Sequence, residues 1–293
     1  MKLTDDMVIC GNRAICRSYA KINLTLDVLG KMENGYHELE SVMQTVNLFD
    51  LVIVDKAAKG IQISTNLKYL PNNEKNIAYQ AARLFFEHTG IRGGARILIR
   101  KNIPVSAGLA GGSGNAAAVL AALNQLYCAP IKQKELLRIS AKLGADVPFC
   151  MMCGTQLTTG IGDVLQSIRP FPKKIVLLVK PPINIPTADI YRKLDSAEIP
   201  PHPKTADFLA ALDQGNMEKL YASMFNVMEA VTEQEHPVIA GIKEKLRRNG
   251  ARIAMMSGSG STVFGLFDDY KKAFRSQQSF SMMYQEVYLT HTN

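Results

Sequence analysis

The sequence contains no tryptophan, only 7% aromatic residues and five cysteines in 293 positions. A sparse, odd cysteine count along a chain of this length argues against a disulfide framework and for a reducing compartment. No apolar run approaches the length of a membrane span, and residues 1–12 lack the apolar core of a signal peptide, so a cytoplasmic protein with no membrane partner is expected. There is no internal repeat. The excess of 34 Lys and Arg over 26 Asp and Glu is spread over pairs such as Arg100/Lys101 and Lys173/Lys174 without interleaved aromatics. That pattern favours anionic small molecules over nucleic acid. Cys150 and Cys153 form a C-x-x-C that, with Cys10 and Cys16, would offer four sulfurs to zinc. Their neighbours Phe149, Met151 and Met152 read instead as core packing around inert thiols, so no zinc is expected.

What is present is a hydrophobic content of 47%, enough for a full core in each of about two domains at this length. The Pro-rich, basic stretch 169–174 marks the boundary, giving expected domains 1–168 and 169–293.

The most informative stretch is PVSAGLAGGSGNAAA, residues 104–118. Gly108, Gly111, Gly112 and Gly114 are expected to adopt positive φ and bare their N–H groups. A helix starting near Asn115 would then point its positive end at the same place, as an anion site requires. The competing reading is a Gly-rich turn feeding a buried helix. A Walker A loop is excluded because no lysine follows the glycines. Residues 112–117 match the dinucleotide fingerprint G-x-G-x-x-A, with Glu135 about 20 positions on, but the context disagrees. Pro104 and a long small-residue loop separate the preceding strand from the glycines, and Glu135 lies in a helical segment.

Earlier in the chain, residues 18–29 alternate as a strand with Lys21, Asn23 and Thr25 on one face, either solvated or reaching into a site. Asn34 and Gly35 suggest a hairpin turn, followed by Tyr36 and His37, a pair that by itself reads as surface. Strands are expected within 39–54, at 60–65 and at 96–100, and helices over 76–89 and 132–143. Asp146 follows as a candidate helix cap. Beyond the boundary come a buried strand at 175–179, a helix at 187–194 and a proline-containing mobile loop at 195–204. Helices at 205–212, 217–225 and 237–249 follow. A second Gly/Ser loop around Ser257, Gly258 and Ser259 leads into a strand, and a helix at 270–280 and a strand at 286–289 close the chain.

Three separated stretches now agree: residues 20–24 with 35–37, residues 104–118, and residues 256–262. In that order they resemble the three motifs of the GHMP kinases, over nearly the whole chain. The resemblance implies an α+β, two-domain GHMP kinase fold with the active site in the cleft between domains. It implies phosphoryl transfer from ATP, with Mg²⁺, to an alcohol. The combination of Tyr36 and His37 with the segment around Asp146 and the later Pro181 and Thr187 implies a cytidine-diphosphate alcohol of isoprenoid precursor synthesis as that acceptor. Lys21 and Asp146 fall on the family's catalytic positions. The ATP loop falls on Pro104, Ser106, Gly108, Leu109, Gly111, Gly112, Ser113, Gly114 and Asn115, with Asn76 towards adenine or as a helix cap. Substrate positions fall on Asn23, Tyr36, His37, Thr187, Tyr191, Ser257, Gly258 and Ser259. Tyr36 and Tyr191 are expected to sandwich the cytosine, with His37 reading its edge. Gly114 departs from the family, which usually has a second serine there, and Ser106 and Asn115 replace its commoner residues. The metal ligands stay unassigned for that reason. A related kinase acting on homoserine or mevalonate, and a non-enzymatic nucleotide- or RNA-binding module, are the competing readings. Either a monomer or a homodimer is compatible.

Overall fold

The computed structural model describes residues 3–33, 35–129 and 131–293; the expected hairpin turn at Asn34 lies outside the described residues. Strands β1 (Val8–Cys10), β2 (Arg13–Lys31), β3 (His37–Ala57) and β4 (Gly60–Thr65) precede helix α1 (Ile77–Thr89). Strand β5 (Gly94–Arg100) leads to α2 (Gly111–Leu126), α3 (Gln133–Ala141) and α4 (Asp146–Met152). Then come β6 (Thr155–Thr159), β7 (Val164–Ser167), β8 (Ile175–Lys180), α5 (Thr187–Leu194), α6 (Thr205–Gln214) and α7 (Met217–Ala222). The chain ends with β9 (Phe225–Asn226), α8 (Glu229–Glu235), α9 (Pro237–Arg248), β10 (Ile253–Met256), β11 (Val263–Phe267), α10 (Tyr270–Ser281) and β12 (Glu286–His291).

Two compact units are assembled from non-contiguous segments. The first comprises Met1–Ala20, Leu48–Val105 and Ala110–Gly154; the second comprises Lys21–Asn47, Ser106–Leu109 and Thr155–Asn293. The long strands β2 and β3 therefore each contribute one half to either unit, whereas the sequence reading places a single boundary at 168/169.

In the first unit, β3 pairs antiparallel with β5 (Leu51 with Arg100) and β5 pairs parallel with β4 (Gly60 with Gly94). Alternation along β3 buries Leu48, Asp50, Val52 and Val54 on one face. Helix α1 is capped at its start by Asn76, whose side chain accepts from the Ala78 amide, and ends at left-handed Gly90 (φ 67°). Its apolar stripe packs on α2, an alanine-rich helix buried along nearly its whole length. Small side chains let the two helices approach closely.

In the second unit, β6 pairs antiparallel with the first half of β3 (Gln44 with Thr155), and β9 pairs parallel with β2 (Thr25 with Phe225). A separate antiparallel sheet runs in the order β10-β11-β8-β12. Its core unites Leu177, Val179, Ile190, Ile239, Leu246, Val263 and Phe280. Each such residue contributes roughly 1.5–3 kcal/mol when fully buried.

Candidate active site

In the first unit the glycine loop differs from its expected form. Helix α2 begins at Gly111, not near Asn115, so Gly111, Gly112 and Gly114 lie in its first turn with ordinary helical backbone. Of the four glycines only Gly108 has positive φ (71°), and the other left-handed positions are held by Ser106 (φ 52°) and Ala110 (φ 55°). Two of the helical glycines serve close approach instead. A Cβ on Gly111 would stand 3.0 Å from the Lys101 ammonium, and one on Gly114 would stand 2.4 Å from the Ser18 hydroxyl. A serine at 114 is thus incompatible with Ser18 where it lies, which explains the departure at this position.

Beneath that first turn is a buried polar cluster. The Asn115 amide donates to Asp50 Oδ2 (2.9 Å) and to the Ser18 hydroxyl (3.2 Å), and its oxygen accepts from Lys101 Nζ (3.2 Å). Lys101 also pairs with Asp50, and Asp50 Oδ1 accepts from the amides of Asn102 (2.7 Å) and Ile103 (2.8 Å) as the chain enters the loop. Asp50 is fully buried and Lys101 nearly so. Alternation along β3 pointed to Asp50, a carboxylate in phase with three buried aliphatics, although the sequence reading did not single it out.

Asp146 is the first residue of α4, half-buried in its first turn, while the N-cap position belongs to Ala145. The bare-cap reading is therefore not the geometry found. Helix α4 packs against α2, and the Cys150 thiol faces the Ala110 carbonyl at the head of α2 (3.9 Å). The Cys153 thiol donates to the Cys150 carbonyl (3.2 Å), and burial pushes the Cys16 thiol up to about 12. Among the described residues no group of three or more His, Cys, Asp or Glu is placed to hold a metal ion. Asn76 uses both ends of its amide in closing α1, accepting from Ala78 and donating to the Pro71 carbonyl (2.9 Å).

The second unit gathers most of the other positions. The face of β2 bearing Lys21, Asn23 and Thr25 is buried, which removes the solvated reading. Lys21 Nζ donates to Asn23 Oδ1 (2.6 Å), Asn23 Nδ2 donates to Ser41 Oγ (2.8 Å), and Ser41 donates to the Thr25 carbonyl (2.5 Å). This ladder fixes the Asn23 amide with its oxygen towards the lysine. The Lys21 amide donates to the Leu109 carbonyl (3.2 Å), placing the lysine beside the first half of the glycine loop.

The two Gly-rich loops meet there. Ser257 Oγ donates to the Gly108 carbonyl (2.9 Å), and a Cβ on Gly108 would strike the Ser257 carbonyl at 2.1 Å. A Cβ on Gly258 (φ 58°) would lie 3.4 Å from Lys21 Nζ. Thr187 and Tyr191 share one face of α5, four residues apart. Thr187 is hydrogen-bonded to Ser259 (2.8 Å), and the Tyr191 ring stacks on His37 with centroids 4.8 Å apart. The ring against Tyr191 is therefore that of His37, while Tyr36 is 61% exposed. His37 in turn meets Asp195 (2.5 Å), and with Lys31 it holds that carboxyl below the usual range. Asp195 opens the segment expected to be a mobile loop; here it is tied to β2 and β3.

Comparison with known proteins identifies the family. The GHMP kinases N terminal domain matches residues 76–154, and the GHMP kinases C terminal domain matches residues 208–281. The 4-diphosphocytidyl-2-C-methyl-D-erythritol kinase of Clostridium botulinum (strain Eklund 17B / Type B) is 44% identical over 94% of this chain and 99% of its own length. The protein of the same name from Alkaliphilus oremlandii (strain OhILAs) is 45% identical over 94% of this chain and 95% of its own. A crystal structure of 4-(cytidine 5'-diphospho)-2C-methyl-D-erythritol kinase superposes with a TM-score of 0.81 at 31% identity, covering 95% of this chain and 99% of that one. A homoserine kinase from Cytophaga hutchinsonii (TM-score 0.77, 19% identity) shares the fold. Among the described residues no helix is long and apolar enough to cross a membrane. With motifs, fold and relatives in agreement along nearly its whole length, the chain belongs to the GHMP kinases and is a small-molecule kinase.

Proposed function

We propose that the chain transfers the γ-phosphoryl group of ATP to a hydroxyl of 4-diphosphocytidyl-2-C-methyl-D-erythritol, giving the 2-phosphate, a step of non-mevalonate isoprenoid precursor synthesis. The observation that carries this reading is Lys21: a buried ammonium, oriented by Asn23 and lying against Gly258. Phosphoryl transfer asks little covalent chemistry of a protein and much positioning and charge stabilisation. Asp146 takes the proton of the acceptor hydroxyl, and Lys21 orients that hydroxyl. Residues 104–115 grip the phosphates, their backbone amides and the head of α2 facing the anion, with the adenine towards Asn76.

Mg²⁺ arrives as part of the Mg–ATP substrate. An ion that keeps phosphate and water ligands and takes at most one or two side chains fits a protein without a metal-ligating cluster among its described residues. Ser113 supplies a hydroxyl in the first turn of α2, next to Gly114, which has none. Tyr191, Tyr36 and His37 form the cytosine side, with Thr187, Ser257 and Ser259 nearer the erythritol. In this reading residues 1–168 are the ATP-binding half of the sequence and 169–293 the C-terminal half, and Lys21 works with the second compact unit. The deciding experiment is magnesium-dependent ADP release on adding the cytidyl acceptor. Turnover with that acceptor and none with homoserine or mevalonate is expected; the reverse pattern overturns the substrate assignment.

A further inference from the structure

Strand β10 lies at the edge of its sheet, paired on one side with β11, so the backbone groups on its open side need other partners. At its last residue they are supplied by side chains. The Met256 amide donates to Glu229 Oε1 (2.6 Å), and Asn226 Nδ2 donates to the carbonyls of both Met256 (2.9 Å) and Gly258 (2.8 Å). The Asn226 oxygen accepts from the Met228 amide (3.0 Å), so a flipped amide would turn that oxygen onto two carbonyls and its orientation is fixed. Glu229 is paired by Lys243 of α9, which also pairs with Glu233.

These contacts are concentrated where β10 gives way to the Gly/Ser loop. Four residue pairs with β11 already anchor the strand. The extra hold falls on 256 and 258, and Gly258 is the residue against the Lys21 ammonium. We propose that Asn226 and Glu229 are positioning residues for the phosphoryl transfer. They fix the backbone at 256–258 as the wall against which Lys21 is set, and Lys243 pairs with the other oxygen of Glu229. The inference rests on the kinase reading above.

The test is steady-state kinetics with ATP and the cytidyl acceptor, with thermal melting of each variant. Asn226→Asp keeps the shape but sets an anionic oxygen against two carbonyls. Its kcat is expected to fall about 10–100-fold while the KM for ATP moves less than about threefold, since small misplacements at a reacting centre are costly and the phosphates are held elsewhere. Glu229→Ala should behave likewise. Glu229→Gln restores a neutral acceptor for the Met256 amide while Lys243 keeps Glu233 as its counter-ion, so it should regain most of the rate lost in Glu229→Ala. A merely architectural role would lower the melting temperature and leave kcat per folded molecule unchanged. Wild-type kcat in folded Asn226→Asp, or, should that variant not fold, no recovery in Glu229→Gln relative to Glu229→Ala, overturns the proposal. If the wild-type protein itself fails to phosphorylate the acceptor, the kinase reading fails first and takes the inference with it.

Discussion

Both Gly-rich loops are entered over a carboxylate paired with a lysine, yet the two pairs meet solvent differently. Asp50 receives the amides of Asn102 and Ile103 and pairs with Lys101 in a fully enclosed cluster. Glu229 receives the amide of Met256 and pairs with Lys243 at the wall of a cleft of about 410 Å³, which His202, Glu233 and Arg247 also line. Burial pushes the Glu229 carboxyl up, and Lys243 and the Met256 amide pull it back. A sealed pair is a permanent fixture, whereas a pair beside a cleft can respond to protons.

The largest losses are expected at the two residues proposed to act on the acceptor hydroxyl. Asp146→Asn should lower kcat by about 10²–10⁴-fold with ATP affinity nearly unchanged, the usual worth of a general base. Combining it with Lys21→Met should cost far less than the product of the two single losses, because residues acting on one hydroxyl are non-additive. Independent, multiplicative losses would show that the two do not act together.

Next in size is the sealed pair. Lys101→Met strands Asp50 as a buried charge, and denaturant unfolding should show a loss of about 3–5 kcal/mol. Restoration of most of that stability by Asp50→Asn in the same chain would identify the stranded charge as its cause. Smaller effects separate the glycines of α2. A methyl at Gly114 meets the Ser18 hydroxyl at 2.4 Å, and Gly114→Ala should destabilise by about 1–3 kcal/mol through overpacking. A methyl at Gly112 meets only Ile77 at 3.6 Å, so Gly112→Ala should stabilise by up to about 1 kcal/mol, as alanine does within a helix.

The smallest effect concerns pH. Because the folded-state pKa of Glu229 is raised from 4.5, the stability it contributes is fully present below that value and is lost as pH rises through the raised one. Lys243→Met removes the charge that opposes this rise, leaving Glu233 as the near carboxylate and Arg247 and His202 on the same cleft. The melting-temperature deficit of Lys243→Met should therefore grow from mildly acidic to mildly alkaline pH. A deficit independent of pH would place the effect in packing.

Periodicity and punctuation made much of the architecture legible. The alternation of residues 18–29 marked β2 but left the face bearing Lys21, Asn23 and Thr25 open between solvent and a site, because Ser18 to Leu26 are buried on both faces; Asn76 with Gly90 bracketed α1. The start of α2 was misplaced because glycines read as loop, when three of them lie in helical turns, two of these, Gly111 and Gly114, admitting Lys101 and Ser18. Helix α8 was missed because Glu229–Glu235 is too short to show an amphipathic period. The supporting clusters were illegible for a different reason. Asp50 and Lys101 are 51 positions apart and Asn226 reaches Gly258 across 32, so no local spacing announces either contact.

The chain crosses between its compact units after Ala20, Asn47, Val105, Leu109 and Gly154. Four residues of the glycine loop, Ser106–Leu109, are thereby lent to the unit that also contains the C-terminal half of the sequence. Their closing contact, Ser257 to Gly108, spans 149 positions. Contacts of such separation pay their loop entropy before they are rewarded. A chain still being synthesised contains α1, β5 and the Lys21 amide that holds the Leu109 carbonyl long before residue 257 exists, but not the hydroxyl that holds Gly108. A fragment that stops short of the Gly/Ser loop lacks this contact, so residues 106–109 would stand there without the Ser257 hydroxyl that accompanies them in the whole chain.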